Sequence, residues 1–290
     1  MTANDSRHGR LRESIESDEI AVLPGCYDAL SAKVVEKAGF DAVYLSGAGV
    51  SNTKLGIADT GFTTQTEMRE QIQYIADAVS IPVFSDADEG YGNALHVRRT
   101  VQAYEKEGAS ALHIEDQEFP KKCGHFEGKK LIPSEEMVKK VEAAVDARRD
   151  DDFVITARTD ARAVEGVDAA IERANEYADA GADLIFPEAP QDESEMRRFA
   201  EEIDAPVMAN MVEYGKTPMV PADRLEELGF DLVIFPNSLL RAAMVTMVDT
   251  ADHIMETGTT GDILDDIASF DLRNELTDYD RVKDLEDRYA

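Results

Sequence analysis

The stretch DAAIERANEYADAGADLIFP, residues 168–187, contains one complete repeating unit of the predicted fold. Its first part, Asp168 to Ala180, has the apolar spacing of an amphipathic helix. Gly181 supplies the left-handed residue that closes such a helix, and the apolar run Leu184 to Phe186 then predicts a buried strand. A helix that ends at glycine and leads directly into a buried strand indicates a parallel α/β fold.

The same arrangement recurs along the chain. Similar glycine phrases occur at residues 38–41, 107–109 and 228–231. Roughly eight apolar runs are predicted as strands: Ala21 to Leu23, Ala42 to Leu45, Pro82 to Ser85, Ala111 to Ile114, Phe153 to Ala157, Leu184 to Phe186, Pro206 to Ala209 and Leu232 to Phe235. The helical patterns between them include Ala29 to Ala38, Leu95 to Glu107, Ser134 to Arg148, Asp168 to Ala180, Ser194 to Glu202 and Pro221 to Glu227. Because these units follow one another without a linker, we expect one closed (β/α)8 TIM barrel; a doubly wound sheet would need fewer strands or a second domain.

Residues 1–290 are therefore predicted to form a single barrel domain with two additions. Residues 1–18 are a polar N-terminal segment. Residues 238–290 contain two further helix patterns, Ser238 to Thr257 and Asp262 to Asp287, beyond the eighth strand. We expect these C-terminal helices to make contacts between subunits.

Composition and charge exclude several classes of protein. With 43% hydrophobic and 31% charged residues, the chain is expected to bury a large core. Sixty acidic and 30 basic side chains give a formal charge of −30, which opposes binding to nucleic acid or to an anionic membrane surface. The acids are spread over the whole chain, so we expect a solvated surface suited to high salt. A halophilic host is the resulting hypothesis, and an absence of stabilisation by molar KCl would contradict it.

The cysteines and the N-terminus indicate the compartment. Cys26 and Cys123 lie far apart and have no CxxC or Cys/His metal spacing, so both are expected to be free thiols in a reducing environment. The first residues are polar, and no apolar run reaches the roughly 18 residues of a membrane span. We therefore expect a cytoplasmic protein.

Polar side chains stand where nearly every predicted strand ends, which is the face of a (β/α)8 barrel that carries the active site. Burying such residues without a ligand or metal is unfavourable, so a ring of them predicts a site. The ring comprises Ser46, Gly47, Asp86, Asp88, Glu115, Arg158, Asp160, Glu188, Asn210, Asn237 and Ser238.

Asp86 and Asp88 are the candidate metal ligands. They are two residues apart, so in extended backbone both carboxylates project to the same side. Such a pair suits Mg²⁺, which prefers oxygen ligands and keeps several waters, and Glu115 with Asp116 would complete the shell. The alternative is that these acids cap the following helices, which is common for a single Asp after a strand.

Arg158 is the candidate receptor for a substrate carboxylate, because a guanidinium binds carboxylates through two parallel hydrogen bonds. The alternative is a salt bridge to Glu188 or Asp160. Both roles are compatible with each other.

Residues 120–130, PKKCGHFEGKK, form a segment of a different kind. It is rich in Lys and Gly, has no apolar period, and places Cys123 beside His125 and two lysines. Positive charge nearby lowers the pKa of a thiol and makes its proton available near neutral pH. We interpret the segment as a mobile lid with an acid/base cysteine; the alternative is an exposed basic loop with an incidental cysteine. Cys26 is expected to be a small buried hydrophobe.

Several of these phrases together resemble the isocitrate lyase and phosphoenolpyruvate mutase superfamily. They are YLSGAGV at residues 44–50, SDADEGYG at 85–92, HIEDQ at 113–117, KKCGH at 121–125, ITARTDA at 155–161 and FPEA at 186–189. The likeness runs in order from about Pro24 to Arg288 and is greatest to the short-chain members typified by 2-methylisocitrate lyase.

The resemblance implies a homotetramer of barrels that exchange a C-terminal helix, a gating loop, and Mg²⁺ with Mn²⁺ as a substitute. It places Mg²⁺ at Asp86 and Asp88, with Asp59 and Glu115 in the water shell. It assigns the oxo-acid carboxylate to Ser46, Gly47 and Ala48, the substrate to Arg158, and the second fragment to Glu188, Asn210 and Arg241. It implies that Cys123 protonates the carbanion, that Lys121, Gly124 and His125 shape the lid, and that Tyr44 handles the hydroxyl proton.

The implied activity is Mg²⁺-dependent carbon–carbon cleavage of a 2-hydroxy di- or tricarboxylate, with 2-methylisocitrate, which yields pyruvate and succinate, as the first expectation. Such cleavage puts negative charge on both fragments, so it needs an electrophilic metal and a proton donor. Val212 stands where tricarboxylate-cleaving members carry a hydroxyl residue. This departure keeps three alternatives open: an isocitrate lyase, a 2,3-dimethylmalate lyase, and an oxaloacetate hydrolase or decarboxylase.

Two further alternatives stay open. A phosphonopyruvate or carboxyphosphonoenolpyruvate mutase would have no use for Cys123, which typical mutases of the superfamily lack. An inactive barrel retained as a binding protein is disfavoured by the intact Asp86, Asp88, Glu115, Arg158 and Cys123.

Overall fold

The computed structural model describes residues 6–122, 124 and 128–290. Within them the strands are β1 (Ala21–Cys26), β2 (Val43–Leu45), β3 (Val83–Asp86), β4 (Ala111–Glu115), β5 (Val154–Thr159), β6 (Leu184–Pro187), β7 (Met208–Asn210) and β8 (Leu232–Phe235). Paired strands are parallel, in the order β6-β5-β4-β3-β2-β1-β8-β7, and a bridge between Ile185 and Val207 brings β6 against β7. The sheet is therefore a nearly closed barrel.

Helices surround the barrel and extend beyond it. They are α1 (Arg7–Ile15), α2 (Ala29–Lys37), α3 (Gly47–Val50), α4 (Gln65–Ala78), α5 (Ala94–Glu107), α6 (Ser134–Val145), α7 (Ala161–Val164), α8 (Val167–Asp179), α9 (Glu193–Glu202), α10 (Ala222–Leu228), α11 (Ser238–Thr257), α12 (Phe270–Leu276) and α13 (Tyr279–Tyr289). A π-helical turn, Ser51–Leu55, follows α3, and a 3₁₀ turn, Leu264–Asp266, precedes α12. None of these helices, in the described part of the chain, is long and apolar enough to cross a membrane. The predicted (β/α)8 TIM barrel with additional C-terminal helices is confirmed.

All four predicted glycine phrases place a glycine in the left-handed conformation at a helix end, at Gly39, Gly108, Gly181 and Gly229. Gly108 ends α5 with φ +101°, and Gly229 ends α10 with φ +96°. In both cases the next strand begins three residues later. Such short connections leave each helix beside the strand that it precedes, which is why the units close into a barrel.

The last predicted helix, Asp262 to Asp287, is wrong as a single element. The chain instead forms the 3₁₀ turn, α12 and α13. Ser269 begins α12 by accepting a hydrogen bond from Leu272 N at 3.2 Å, and Asp278 separates α12 from α13 with φ +52°. A left-handed residue interrupts a right-handed helix, so the apolar pattern is divided between two short helices.

The polar N-terminal segment contains α1, which closes the amino-terminal end of the barrel. Ser6 caps this helix by accepting a hydrogen bond from Gly9 N at 3.0 Å. Leu11 and Ile15 are buried and belong to the apolar cluster inside the barrel, which includes Leu23, Ala42, Phe84, Val154, Met208 and Leu232. Two apolar side chains in a polar sequence thus anchor the helix.

The C-terminal helices leave a large apolar surface uncovered. In α11, all of which is described, Leu240 is the one buried residue. Contiguous exposed apolar surface marks sites of association. The large exposed apolar residues of this region include Met244, Val245, Met247, Val248, Met255, Phe270 and Tyr289.

Leu11→Ala tests the role of α1. Because the Leu11 side chain is fully buried, we expect the free energy of unfolding in urea to fall by about 3 kcal/mol. Leu95→Ala is the matched control, since Leu95 is 74% exposed, and its effect should stay within about 0.5 kcal/mol. Equal effects of the two changes would show that α1 adds nothing to the barrel core.

Candidate active site

A cavity of about 580 Å³ opens where the strands end. Most of the predicted site residues line it: Tyr44, Ser46, Ala48, Asp59, Asp86, Gly124, Arg158, Glu188, Asn210 and Arg241. Four more contact these residues or one another, namely Gly47, Asp88, Glu115 and Lys121. The predicted Cys123 and His125 lie outside the described residues. A second cavity, of about 530 Å³, lies beside α1 at the opposite end of β1, and none of the predicted residues that are described lines it.

Lys121 lies within a buried acidic group. Its Nζ atom is 2.7 Å from Asp59 Oδ1 and 2.7 Å from Asp88 Oδ1, and its side chain is 3% exposed. Asp86 accepts hydrogen bonds from the backbone N–H groups of Asp88, at 2.9 Å, and Gly47, at 3.3 Å. The fold thus brings Asp59, Asp86 and Asp88 together, with a lysine among them.

The backbone between Asp86 and Asp88 differs from the predicted extended geometry. Asp86 ends β3, but Asp88 has φ +46° because the chain turns here, and Gly90 N bonds to Ala87 O at 2.8 Å. Asp86 binds the Asp88 N–H, whereas the Asp88 carboxylate faces Lys121. The prediction of two carboxylates side by side on an extended backbone is therefore wrong, although both residues belong to the acidic group.

Burial shifts the pKa values of these acids. Burial, to which the charge of Asp86 adds, raises the pKa of Asp88 to about 7. Burial also raises the pKa of Glu115 well above its usual range. Burial also acts to raise the pKa of Asp86, but the charges of the neighbouring His113 and Lys121 outweigh burial, and the pKa of Asp86 is lowered. At neutral pH, acids of this group therefore stay protonated unless additional positive charge stabilises their ionised form.

Among the described residues, the buried group around Lys121 and Arg158 carries more negative than positive charge. If all are ionised, its six carboxylates outnumber its three cationic side chains by three: Asp59, Asp86, Asp88, Glu115, Asp160 and Glu188 against Lys121, Lys129 and Arg158. A divalent cation would offset most of this excess. Among the described residues, no three His, Cys, Asp or Glu side chains converge as direct ligands. The donors that are present, the carboxylate oxygens of Asp59, Asp86 and Asp88, are of the kind that Mg²⁺ prefers, and this ion binds few protein ligands directly and keeps several waters.

Arg158 is fixed at the cavity wall by three carboxylates. Its Nε atom lies 3.0 Å from Asp160 Oδ2 and 3.4 Å from Glu115 Oε2, and its Nη2 atom lies 3.3 Å from Glu188 Oε2. Burial lowers the pKa of the guanidinium, but the three carboxylates outweigh burial and keep the pKa well above its usual value. The predicted salt bridges to Glu188 and Asp160 are both present, and the guanidinium still borders the cavity.

Tyr44 and His113 form a buried pair at the barrel mouth. Tyr44 OH lies 2.8 Å from His113 Nε2, and the rings stack with centroids 5.9 Å apart. The same nitrogen is 3.6 Å from Asp86 Oδ1. Burial lowers the pKa of His113 to about 4 and raises that of Tyr44 well above its usual range, so both are neutral near neutral pH. His113 is not among the predicted residues, although its position two before Glu115 places both on one side of β4.

Ser46 and Gly47 connect β2 to α3. Ser46 Oγ accepts a hydrogen bond from Gly49 N at 3.1 Å and donates one to Asn237 Oδ1 at 3.1 Å. A Cβ atom on Gly47 would lie 2.6 Å from Asp86 Oδ2, so glycine alone allows this close approach. The backbone predicted to bind the oxo-acid carboxylate therefore lies against the predicted metal site.

Asp116 lies away from the cavity, contrary to its predicted place in the metal shell. Its carboxylate accepts hydrogen bonds from Thr159 Oγ1 at 2.7 Å, Tyr177 OH at 3.0 Å and Asp160 N at 2.9 Å. Adjacent residues alternate sides at the end of a strand, so Glu115 and Asp116 do not both face the barrel mouth. Asp116 instead fixes the backbone of Asp160.

Lys129 and Gln117 are buried polar residues that the sequence patterns do not identify. Lys129 Nζ lies 2.6 Å from Asp160 Oδ1. Gln117 Nε2 donates a hydrogen bond to Glu115 Oε1 at 2.9 Å. Both residues thus contact carboxylates that hold Arg158. Lys129 gives little signal in the sequence because its partner, Asp160, lies 31 residues further along the chain.

Gly124 is a second point, besides Lys121, at which the predicted lid contacts the site. A Cβ atom there would lie 2.6 Å from Glu188 Cδ and 2.7 Å from Arg158 Nη2. Asn210 also contacts Glu188, since its Nδ2 atom donates to Glu188 Oε2 at 3.2 Å. A segment that follows β4 therefore packs directly on Arg158 of β5 and on Glu188, which follows β6.

The far wall of the cavity combines an apolar surface with a cation. Val212, which is 7% exposed, and Phe186 line the cavity. Arg241 stands at the mouth with 45% of its side chain exposed; its Nε atom is 3.7 Å from Glu213 Oε2, and its guanidinium lies 6.0 Å from the ring centre of Tyr214. A substrate group here would meet an apolar wall and a partly neutralised positive charge.

The barrel and the charged residues at the carboxyl ends of its strands define a (β/α)8-barrel enzyme. The family model of phosphoenolpyruvate phosphomutase matches residues 11–255. The chain is 48% identical to 2-methylisocitrate lyase of Aeropyrum pernix, over 97% of this chain and 89% of that protein. It is 43% identical to 2,3-dimethylmalate lyase of Eubacterium barkeri, over 97% of each chain.

Solved structures agree with this match. The crystal structure of a 2,3-dimethylmalate lyase, a PEP mutase/isocitrate lyase superfamily member, superimposes with a TM-score of 0.92 at 35% identity, over 98% of this chain and 95% of that chain. A phosphonopyruvate hydrolase in complex with oxalate and Mg²⁺ superimposes with a TM-score of 0.88 at 30% identity, over 98% and 99% of the two chains. The chain therefore belongs to the phosphoenolpyruvate phosphomutase family, within the PEP mutase/isocitrate lyase superfamily, as predicted.

The buried His113 predicts a pH dependence of stability. Because its native pKa, about 4, lies below the usual value of 6.5, the unfolded state takes up the proton first as the pH falls, and stability contributed by the neutral ring is lost below about pH 6.5. Between pH 7 and pH 5 the stability advantage of the wild type over His113→Gln should shrink by about 2 kcal/mol. Urea unfolding in EDTA measures this difference.

The same change at the exposed His96 controls for the loss of an imidazole elsewhere. A difference between wild type and His113→Gln that stays constant from pH 7 to pH 5 would show that His113 is not held neutral by its surroundings.

Proposed function

We propose that the protein is a Mg²⁺-dependent carbon–carbon lyase that cleaves 2-methylisocitrate to pyruvate and succinate. The observation that carries the proposal is the buried excess of carboxylates beside Arg158, grouped around one cavity. Relatives named as lyases of small carboxylic acids support the reaction class. The phosphonopyruvate hydrolase complex with Mg²⁺ supports the choice of metal.

Bound Mg²⁺ would supply an electrophile for the negative charge that develops as the carbon–carbon bond breaks. Asp86 would hold the ion, and Asp59, Asp88 and Glu115 would contact it through water. Mn²⁺ would serve as a substitute, since it prefers the same oxygen ligands. The positive charge of the ion also allows an anionic substrate to enter a site that is otherwise negative.

The substrate's carboxylates would be bound on both sides of the cavity. Arg158 would bind one of them through its guanidinium, and the backbone at Ser46, Gly47 and Ala48 would receive the carboxylate of the oxo-acid product. Glu188, Asn210 and Arg241 would bind or orient the second fragment. This division follows the positions of the residues around the cavity.

Tyr44 would handle the proton of the substrate hydroxyl. Burial keeps its phenol protonated, so Tyr44 first acts as a hydrogen-bond donor. When the hydroxyl proton passes to the phenol oxygen, the phenol proton would move to His113 Nε2, which is 2.8 Å away and neutral. The pair therefore accepts a proton without placing a permanent negative charge on Tyr44.

Cys123 would protonate the carbanion that remains after cleavage. Support comes from its neighbours in the chain: Gly124 packs on Arg158, and Lys121 enters the acidic group. Lys121, Gly124 and His125 would shape the lid. The sulfur atom would give its proton to the carbon that loses the bond and would regain one from solvent.

Isocitrate, 2,3-dimethylmalate and oxaloacetate are the alternative substrates. Val212 makes the far wall apolar and so favours a substrate that places a methyl group there. Arg241, at the mouth of the cavity, would bind a third carboxylate of the substrate. Both features together favour 2-methylisocitrate, which has a methyl group and three carboxylates.

A substrate panel tests the proposed activity. Purified protein in molar KCl with Mg²⁺ is given 2-methylisocitrate, isocitrate, 2,3-dimethylmalate, oxaloacetate or phosphonopyruvate, and the products pyruvate, glyoxylate, oxalate and phosphoenolpyruvate are measured by chromatography. We expect kcat/KM to be highest for 2-methylisocitrate and to exceed that for isocitrate by about tenfold or more, because a single methyl contact has this effect. EDTA should abolish turnover, and Mg²⁺ or Mn²⁺ should restore it.

Cys123→Ser separates the lyase from the mutase alternative in the same assay. A lyase should lose nearly all turnover, whereas a phosphonopyruvate or carboxyphosphonoenolpyruvate mutase should keep it. Turnover of phosphonopyruvate alone would overturn the lyase proposal. Inactivity on the whole panel, with no thermal shift on addition of Mg²⁺ with pyruvate or oxalate, would favour an inactive binding barrel.

We also propose that residues 1–290 act as one barrel domain and that residues 238–290 join the subunits of a homotetramer by exchanging a C-terminal helix. The exposed apolar face of α11 to α13 supports this assembly, because such a face requires a partner. The cytoplasm of a halophilic host is the proposed location, in keeping with the buried free thiol of Cys26 and the charge of −30.

Val248→Asp tests the assembly. Val248 is 58% exposed on α11, and a carboxylate in an apolar interface is strongly unfavourable, so most of the protein should sediment as smaller species. Analytical ultracentrifugation of the wild type should show a tetramer. Tyr74→Asp, at an exposed apolar position on α4, is the control and should leave the tetramer intact. A monomeric wild type would overturn the proposal.

A further inference from the structure

The turn after β3, residues 88–92, has a strained backbone. Four of its five residues have φ in the left-handed region: Asp88 at +46°, Gly90 at +84°, Tyr91 at +60° and Gly92 at +141°. Two of these, Asp88 and Tyr91, carry side chains that make this region unfavourable. A strained backbone persists only where its surroundings hold it, and such strain is concentrated at functional sites. The contacts that hold this turn are therefore candidates for a functional role.

Lys140, on α6, provides one of these contacts. Its Nζ atom donates a hydrogen bond to Glu89 O at 3.0 Å, and the residue is 3% exposed. The acceptor is a neutral carbonyl, which compensates poorly for removing an ammonium from water. An apolar side chain would be more favourable at this buried position. Packing of α6 therefore does not explain a lysine here.

Two neighbouring carbonyl groups of the turn are held as well. Asp88 O accepts a hydrogen bond from Glu115 N at 2.9 Å, and Thr100 Oγ1 on α5 lies 3.2 Å from Gly90 O. Thr100 is fully buried. Three successive carbonyls thus contact β4, α6 and α5 in that order, and the middle contact is the one that uses a buried charge.

This turn sets the direction of both candidate metal carboxylates. The Asp88 N–H donates to Asp86 Oδ1 at 2.9 Å, and Asp88 lies one residue before the carbonyl that Lys140 holds. If Glu89 O were released, the left-handed conformation of Asp88 could relax. Relaxation would turn the Asp88 carboxylate and remove a hydrogen bond from Asp86. Metal ligands commonly depend on such outer contacts for their orientation.

We propose that Lys140, together with Thr100, is a positioning residue for the Mg²⁺ site, because it holds the strained turn that orients Asp86 and Asp88. The inference rests on the proposed function for the presence of Mg²⁺, and not for the substrate or the reaction. Neither Lys140 nor Thr100 lines the cavity, so both act through the backbone of the turn.

Charge and position predict opposite effects of removing the Lys140 ammonium. A cation near a metal site repels the metal ion, so its removal alone would strengthen binding of a divalent cation. Loss of the hydrogen bond to Glu89 O would instead release the turn and weaken binding. The sign of the change in metal affinity therefore distinguishes a positioning residue from a background charge.

Binding of Mn²⁺ tests the proposal without substrate. The dissociation constant is measured from the electron paramagnetic resonance signal of free Mn²⁺, for wild type, Lys140→Met and Lys139→Met in molar KCl. Lys139 is exposed and serves as the matched control. We expect the constant of Lys140→Met to rise by about tenfold, as for loss of a contact that orients a metal ligand, and that of Lys139→Met to stay unchanged. An unchanged or lower constant in Lys140→Met would overturn the proposal.

Thr100→Val gives the same test without a change in charge. It removes the hydroxyl beside Gly90 O and keeps the shape of the side chain, so the Mn²⁺ dissociation constant should again rise. An unchanged constant would remove Thr100 from the proposal and, if Lys140→Met does not fold, would overturn the proposal as a whole.

Hydrogen–deuterium exchange in EDTA reports on the turn itself. Amide hydrogens of residues 86–92 should exchange faster in Lys140→Met than in the wild type, and at the wild-type rate in Lys139→Met. Weaker Mn²⁺ binding with unchanged exchange in residues 86–92 would contradict the role given to the turn.

The proposed activity and the positioning role can be told apart. If the wild type binds Mn²⁺ but turns over none of the panel substrates, and Lys140→Met binds Mn²⁺ more weakly, the positioning role stands and the lyase activity falls. If the wild type is an active lyase and Lys140→Met matches it in Mn²⁺ binding and in exchange, the activity stands and the positioning role falls. A wild type that binds no Mn²⁺ would overturn both.

Discussion

The site depends on a buried imbalance of charge at the carboxyl end of the barrel. Three cationic side chains, Lys121, Lys129 and Arg158, face twice as many carboxylates there. Burial alone would protonate such acids, and the raised pKa values of Asp88 and Glu115 express this tendency. A divalent cation would remove the conflict by a different route, because it would stabilise the ionised acids and offset most of the local negative charge. In the proposed function, metal binding and admission of an anionic substrate would both follow from this one electrostatic condition.

The barrel tolerates this buried charge because its two ends differ: one end is apolar and stabilising, and the other end carries the charged residues. At the amino-terminal end, Leu11 and Ile15 of α1 pack into an apolar cluster within the strands. At the other end the strands deliver polar residues that would destabilise an isolated sheet. Stability gained from the apolar interior and from short helix-to-strand connections such as that at Gly108 offsets the unfavourable burial of charge. The arrangement also explains why backbone as well as side chains are fixed near the site: Asp116 binds the Asp160 N–H, and Gly47 allows Asp86 to approach.

Much of this could be predicted from the sequence because it follows from local periodicity. The eight strands, the glycine helix ends and the acids and Arg158 at the strand ends are local features, and each predicted strand overlaps an observed one. The features that the sequence did not predict depend on backbone torsion angles or on contacts between residues far apart in the chain. The φ of +46° at Asp88 follows from a turn that residue spacing does not reveal. His113 and Lys129 acquire their roles from Tyr44 and Asp160, which are far from them in sequence. The division of the last helix at Asp278 has the same origin, since a single left-handed residue interrupts an otherwise helical pattern.

Selectivity among related acids depends on one part of the cavity, and the proposed reaction depends on another. In the proposed reaction, the acidic group with its metal, Arg158 and the Tyr44–His113 pair would contact features that every candidate substrate shares, namely a carboxylate and a neighbouring oxygen. They would therefore lower the barrier for the whole class without choosing among its members. The choice would fall to the wall formed by Val212 and to Arg241, whose charge is shared with Glu213. A substrate methyl group would gain binding energy from the apolar wall. An additional carboxylate would gain binding energy only if Arg241 gives up its ion pair with Glu213 to bind it. Under the proposed function, substrate preference would thus depend on a weak, partly exposed ion pair, whereas the reaction itself would depend on strong, buried ones.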